Sequence, residues 1–203
     1  PIIKSTLLTE LHDRSIGERE RLSPKLHYSF LRHICYFYDS LELLLRDGYP
    51  VPPHESPIAL EKMLEVITDL VVYRNRSNGN QASISTNVQL RDGFNTFMPL
   101  LYTALIHLAN NSSRVVDKER GKVNVAVTNF FGEVPNPVYQ CPETLLKGDF
   151  IKFVVNDNGL GFTQDRPLKD FLNLGVSTKK DGGFGLYYIT LVCKFLRGHL
   201  TID

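Results

Sequence analysis

The chain has 203 residues, 42% of them hydrophobic and 22% charged, which suits one or two folded domains with a real core. Its 23 basic and 22 acidic residues give a net charge of +1, without the basic excess that nucleic-acid or anionic-membrane binding requires. No apolar run approaches the roughly 20 residues of a membrane span and no signal peptide opens the chain; Cys35, Cys141 and Cys193 form no CxxC or Cys/His ligand spacing and read as reduced thiols of a cytoplasmic protein.

From about Thr6 to Arg76 the apolar residues recur at helical spacing. Ser23-Pro24 predicts a kink or break in the first helical region, because proline lacks a backbone donor. Beyond it, Phe30/Leu31, Ile34, Phe37/Tyr38, Leu41 and Leu44/Leu45 form the stripe of an amphipathic helix, stopped by Asp47-Gly48-Tyr49-Pro50. After a Pro-rich loop that holds His54, Ser56-Pro57 reads as an N-cap and first-turn proline. A second stripe follows at Leu60, Met63/Leu64, Ile67 and Leu70/Val71. Residues 1–78 are thus expected to contain a helical hairpin, a separate domain that dimerises as a four-helix bundle to cover its apolar faces.

Residues 79–203 change period. Ala82 to Leu90 alternates as a strand, with Ile84, Thr86, Val88 and Leu90 on one side, and Phe97 to Asn111 is helical and strongly apolar. Val123 to Phe131 alternates again, and Pro135-Asn136-Pro137 marks a long loop, expected over 132–149 as a partner-docking insertion. A strand is expected at Phe150 to Asn156, a buried helix at Leu186 to Phe195 and a strand from His199. The pattern is α+β, a sheet with helices packed on one face. The chain starts at Pro1 rather than Met and stops at Asp203 inside that last strand, so it reads as a fragment; any membrane segment would lie outside it.

Three stretches of this second half carry chemistry. In Leu105-Ile106-His107-Leu108-Ala109-Asn110-Asn111-Ser112, His107 and Asn111 fall one turn apart on the same helix face. Polar groups on an apolar helix need partners, since burying one unpaired costs about 1–3 kcal/mol. The Asn111 carbonyl could hold Mg²⁺ with His107 near a γ-phosphate; a frayed, solvated helix end is the alternative. In Val154-Val155-Asn156-Asp157-Asn158-Gly159-Leu160-Gly161, a strand ends in a carboxylate that can accept from an exocyclic amine, and the glycines let a ring approach the backbone. The alternative there is a plain hairpin turn. In Gly175-Val176-Ser177-Thr178-Lys179-Lys180-Asp181-Gly182-Gly183-Phe184-Gly185-Leu186, glycines before a helix present N–H groups to phosphate, beside two lysines and two hydroxyls. A flexible surface loop would look the same. Neither a Walker lysine motif nor GxGxxG is present.

In order and spacing the three stretches resemble the N, G1 and G2 boxes of the Bergerat-fold ATPases, the superfamily that includes gyrase and the histidine kinases. The resemblance spans about Ala82 to Asp203 and implies an α/β sandwich holding ATP and Mg²⁺ under a lid, here about 162–183. It implies Asn111 as the Mg²⁺ ligand, Asp157 as the adenine anchor, Gly159 and Gly161 as G1 glycines, and Gly183 and Gly185, leading into Leu186, as G2 glycines beside the triphosphate. Ser177, Thr178, Lys179 and Lys180 would contact nucleotide from the lid.

His107 stands where gyrase-type enzymes carry a water-activating glutamate, and together with the lid length and the helices before the domain it looks most like the sensor histidine kinases. That branch implies autophosphorylation of a histidine in a homodimer, then transfer to an aspartate of a response-regulator receiver domain. His12, in Glu10-Leu11-His12-Asp13, has the acidic neighbour an acceptor needs to lose its proton. It precedes His107 by 95 residues, a spacing similar to kinases with this acceptor motif, although Arg14-Ser15-Ile16-Gly17 is one residue longer than that motif. His27 and His33 are the other acceptor candidates. An ATPase clamp without histidine phosphorylation and a silent phosphotransfer scaffold are the alternatives.

Overall fold

The computed structural model describes residues 23–45, 51–135, 145–161, 185–196 and 198–202. His12, the helical region expected over 6–22 and the lid expected over 162–183 lie outside the described residues, as do Cys141, Ser177, Thr178, Lys179, Lys180 and Gly183.

Helix α1 spans Pro24–Leu45, and the break expected at Ser23-Pro24 is its start. The Ser23 hydroxyl accepts from the Leu26 amide at 3.3 Å, and proline takes the first turn, where its missing donor costs nothing. Strand β1 (His54–Glu55) pairs antiparallel with β3 (Phe94–Asn95), so His54 sits in a short strand rather than a loop, its Nδ1 3.0 Å from Asn95 Oδ1. Helix α2 spans Pro57–Ser77 and is capped as expected, the Ser56 hydroxyl accepting from the Ala59 amide at 3.2 Å. Its chain leaves through Gly79, in the left-handed region at φ 68°. Buried Asn80 then ties the turn down: its amide donates to the Ser113 carbonyl at 3.0 Å and its Oδ1 accepts from Ala82 at 2.7 Å.

Strand β2 (Ser83–Gln89) runs parallel to β4 (Lys122–Pro135), which pairs antiparallel with β5 (Leu145–Asp157). The sheet order is β2-β4-β5, a mixed sheet whose inner face presents Val125 and Val127 to the helices. Helix α3 (Met98–Val115) lies against that face, and helix α4 (Gly185–Phe195) packs Ile189 and Val192 against Leu100 and Ala104 of α3.

Two expectations need correction. Half of the long loop expected over 132–149 is ladder: Gly132 pairs Gly148, Glu133 pairs Lys147 and Pro135 pairs Leu145, with 136–144 between the strands. Backbone pairing overrides the turn-forming glycine and proline here, because both strand partners are long enough to continue. The strand expected from His199 is not formed over the described residues 198–202, which follow a turn closed by the Gly198 amide on the Cys193 carbonyl at 2.7 Å. Among the described residues of 1–78, the apolar stripe of α2 is buried within the chain. Leu60, Met63, Leu64 and Ile67 of α2 enter one core with Leu101 and Leu105 of α3 and with Val125 and Val127 of the sheet. The α2 stripe is matched by α3 and the sheet, which bury it more fully than one facing helix could.

The stripe of α1 also divides. Phe30 turns inward against Tyr73, ring centroids 5.6 Å apart, whereas Leu31, Phe37 and Leu45 stay 38%, 42% and 82% exposed. The inward face carries instead Ser29, His33, Tyr36 and Ser40, the two serines fully buried. Each has a partner: Ser29 donates to Asp69 at 3.1 Å, and Ser40 donates to the Phe37 carbonyl at 2.7 Å while accepting from Thr103 at 3.1 Å.

Leu64→Ala is expected to lower the stability of the whole chain by about 2–5 kcal/mol, in one urea transition followed equally by far-ultraviolet circular dichroism and tyrosine fluorescence. Two separated transitions, with only the helical one moved, would show that α2 has a core of its own.

Candidate functional site

The site grows from the C-terminal half of α3. His107 is half-buried, its ring 5.6 Å from that of Tyr188 on α4, so the start of α4 lies alongside it. Burial holds the His107 imidazole below its usual pKa, and the Arg114 charge on the next turns of the helix adds to the effect. Asn111 lies one turn on, also half-buried, and its side chain makes no hydrogen bond to another described residue. The carbonyl of Asn110 accepts from the Ser113 hydroxyl at 3.1 Å, which closes the last turn.

Asp157 is the last residue of β5, half-buried, and its Oδ1 accepts from the Gly159 amide at 3.0 Å. That bond forms a local side-chain turn and fixes the carboxylate, while Oδ2 has no partner among the described residues. Gly159 is required where it stands: an added Cβ would lie 2.9 Å from Asp157 Oδ1, from Val115 Cγ2 and from the Val115 carbonyl. This close approach brings the end of β5 against the end of α3, one turn beyond Asn111. Gly161 adopts φ 71°, the left-handed region that favours glycine, with open space around it. Leu186, the second residue of α4, is half-buried beside the packed face of that helix, which follows directly from Gly185.

Two contacts tie these stretches to α3: Gly159 at the end of β5 seats on Val115, and Tyr188 of α4 lies beside His107. The sequence reading missed what braces them. Asn158 clamps the β5 end to the start of β4, its Oδ1 accepting from the Lys122 amide at 2.7 Å and its Nδ2 donating to the Arg120 carbonyl at 3.2 Å. Asn158 itself drew no reading in the sequence, although an Asn beside a tight turn is a usual place for such a clamp. Asp117 likewise accepts from the Glu119 and Arg120 amides at 2.9 and 2.7 Å, and these bonds hold its carboxyl below its usual pKa. Tyr188 gave no signal at all, since an aromatic residue on an apolar helix reads as core.

The two other acceptor candidates both lie on α1. His33 shares a hydrogen bond of 2.7 Å with the Tyr102 hydroxyl and is held below its usual pKa by burial and then by the nearby His107. Tyr102 in turn stacks on Tyr36 at 4.5 Å, and burial pushes its phenol up. His33 is thus part of the packing between α1 and α3. His27 is half-buried on α1.

No protein-family model and no curated protein matches the sequence. Among solved structures the chain is similar to the catalytic domain of the histidine kinase ThkA, with a TM-score of 0.51 and 12% identity, over 71% of this chain and 82% of that one. The fold is that of a histidine kinase catalytic domain. A further similar structure is a mycobacterial sensor histidine kinase, MprB, with a TM-score of 0.49 and 15% identity over 70% of this chain and 78% of that one. In this histidine-kinase fold the described residues hold no cluster of three His, Cys, Asp or Glu side chains able to cage a metal. The donor set fits a different arrangement, in which a hard cation arrives with its phosphate oxygens and waters and takes one protein oxygen, such as that of Asn111.

The two buried imidazoles set a pH dependence. Both favour the neutral form in the folded chain, whereas unfolded histidine titrates near pH 6.5. As pH falls below about 6.5 the unfolded chain takes up protons that the folded chain does not, and stability falls. Thermal unfolding followed from pH 7.5 to 5.5 is expected to show a falling midpoint. In His33→Gln, which keeps a hydrogen-bonding group at Tyr102 but does not titrate, that fall becomes shallower; an unchanged slope would remove His33 from this role.

Proposed function

We propose that the chain binds ATP with Mg²⁺ where α3, the end of β5 and the start of α4 meet, and works as a protein histidine kinase of a two-component system. The observation that carries this reading is the seat of Gly159 on Val115, which sets the Asp157 carboxylate beside the helix of His107 and Asn111. In this reading Asp157 Oδ2, already oriented by the bond that Oδ1 accepts, receives the adenine amine, and Asn111 offers its carbonyl oxygen to the metal. His107, half-buried beside Tyr188 and held below its usual pKa by burial, stands near the γ-phosphate. Gly183, Gly185 and the Ser177, Thr178, Lys179 and Lys180 run supply amides, hydroxyls and positive charge to the triphosphate. Bound Mg²⁺ supplies charge neutralisation on the phosphates; the protein's contribution is position.

His12 is the proposed phospho-acceptor, with Asp13 beside it to take the imidazole proton, and a response-regulator aspartate receives the phosphoryl group next. The engagement of His33 with Tyr102 favours His12 over it. The proposed homodimer forms through the outward stripe of α1 (Leu31, Phe37, Leu41 and Leu45), because the α2 stripe is occupied within the chain.

Incubation with γ-labelled ATP is expected to leave acid-labile, base-stable label on the protein, absent in His12→Ala. Asp157→Asn and Asn111→Ala, which remove groups bonded to a charged or strongly polar ligand, should weaken nucleotide binding or turnover by roughly tenfold or more. Free phosphate released without protein labelling would make the chain an ATPase clamp, and unlabelled protein that binds no nucleotide would make it a scaffold.

A further inference from the structure

A second cleft lies at the opposite end of α3 from Asn111. Its volume is about 290 Å³, and Tyr28, Arg32 and Tyr36 of α1 face Ala59, Lys62 and Val66 of α2 across it, with Glu55 and Met98 completing the lining. Met98 is the first residue of α3, so the cleft sits about 20 Å along that helix from Asn111, at 1.5 Å per residue. The size falls at the small end of ligand cavities, which run roughly 300–1,000 Å³.

The sequence places these side chains in register. Tyr28, Arg32 and Tyr36 are spaced four apart on one face of α1, and Ala59, Lys62 and Val66 share one face of α2. The floor is apolar, since Val66 and Met98 are both buried. Arg32 is fixed before any ligand arrives: its Nη2 donates to the Tyr36 hydroxyl at 2.6 Å, its guanidinium lies 4.6 Å from the centre of the same ring, and Tyr36 stacks on Tyr102 at 4.5 Å. Among the described residues neither Arg32 nor Lys62 forms an ion pair, although Glu55 lines the same cleft. Two cations from different helices, one of them held by a rigid ring and both without a carboxylate partner, over an apolar floor, form a receptor for an anion with an apolar body. A planar fork presented by Arg32 suits a carboxylate, and the negative Glu55 disfavours a dianion.

We propose that this cleft binds a small monocarboxylate with an aromatic or branched apolar body, its charge between Arg32 and Lys62 and its body on Val66 and Met98. Such a ligand touches α1, α2 and the first turn of α3 at once, so it clamps α1 to the rest of the fold. The site lies apart from the proposed nucleotide site, and its test needs no nucleotide.

The chain has two methionines, which makes the test direct. Met98 lines the cleft and the fully buried Met63 does not, so in a sample labelled at the methionine methyls the two signals report the site and a control. Titration with phenylacetate is expected to move the Met98 signal saturably and leave Met63 in place. Phenylacetamide, of the same shape without charge, and phenyl phosphate should bind at least tenfold more weakly. Arg32→Gln with Lys62→Gln should abolish the phenylacetate shift while both methyl signals keep their folded positions in the free protein. An unmoved Met98 signal at 20 mM phenylacetate, equal shifts from phenylacetamide, parallel movement of both methionines, or an unchanged response in the double variant would each overturn the proposal.

Discussion

Helix α3 is buried on nearly every side, and the rest of the described structure is arranged by what that burial demands. Its buried positions run from Met98 through Leu100 to Ile106, then Ala109, Ser112 and Ser113, so no single stripe defines an inside. A helix in that position must find a partner for each polar group it carries. Tyr102 has His33 from α1, and Thr103 has the Pro99 carbonyl and Ser40. The last turn is met by Asn80, which reaches the Ser113 carbonyl from the other side of the chain. Three layers of contact, from α1, from the α2–β2 turn and from α4, are thereby tied to one helix. His107 and Asn111 are left at its half-buried end, where a polar ligand could complete the set.

Position at that end is fixed by backbone rather than by charge. Asn158 locks β5 to the start of β4 through two side-chain bonds, and its own amide donates to the Lys122 carbonyl at 3.2 Å. The turn that follows is set tightly against Val115 because Gly159 has no side chain. Asp157 is consequently held by the two residues that follow it, and the oxygen that remains open is oriented by the one that is used. Preorganisation of this kind means that a ligand need not order the carboxylate on arrival, which is where most of the benefit of a rigid site comes from.

Much of this was readable from residue patterns, and the failures have physical causes. The Ser56-Pro57 cap, the alternation of Val123, Val125 and Val127 and the apolar helix through Leu105 all follow from local rules, and the structure keeps them. The approach of the β5 end to the α3 end, Gly159 on Val115, was legible only through an ordered set of motifs, since nothing local says that a helix end and a strand end meet. What was not legible is tertiary choice. Whether the α2 stripe meets α1 or meets α3 and the sheet cannot be decided from α2, because any complementary apolar face satisfies it. The residues 132–135 and 145–149 read as a loop through their glycines and proline, yet a long antiparallel partner carries the ladder across them. His33 on an amphipathic helix gives no hint of the tyrosine 69 residues away that it bonds.

The division of α1 follows from the same arithmetic of partners. Burying Ser29 and Ser40 would be unfavourable if their hydroxyls were left unmet, at about 1–3 kcal/mol each. Asp69, the Phe37 carbonyl and Thr103 meet them, so the inward face loses little by being polar. The outward face then keeps Leu31, Phe37, Leu41 and Leu45 in water, and apolar area left wet forgoes about 25 cal/mol per Å². A helix with satisfied hydroxyls inside and large aliphatic and aromatic groups outside gains more from a second apolar face than from tighter packing on the first. That asymmetry places the unsatisfied half of α1 on the side away from α3. The His33–Tyr102 bond lies on the opposite, inward side, so a face covering the outward residues of α1 would leave it in place.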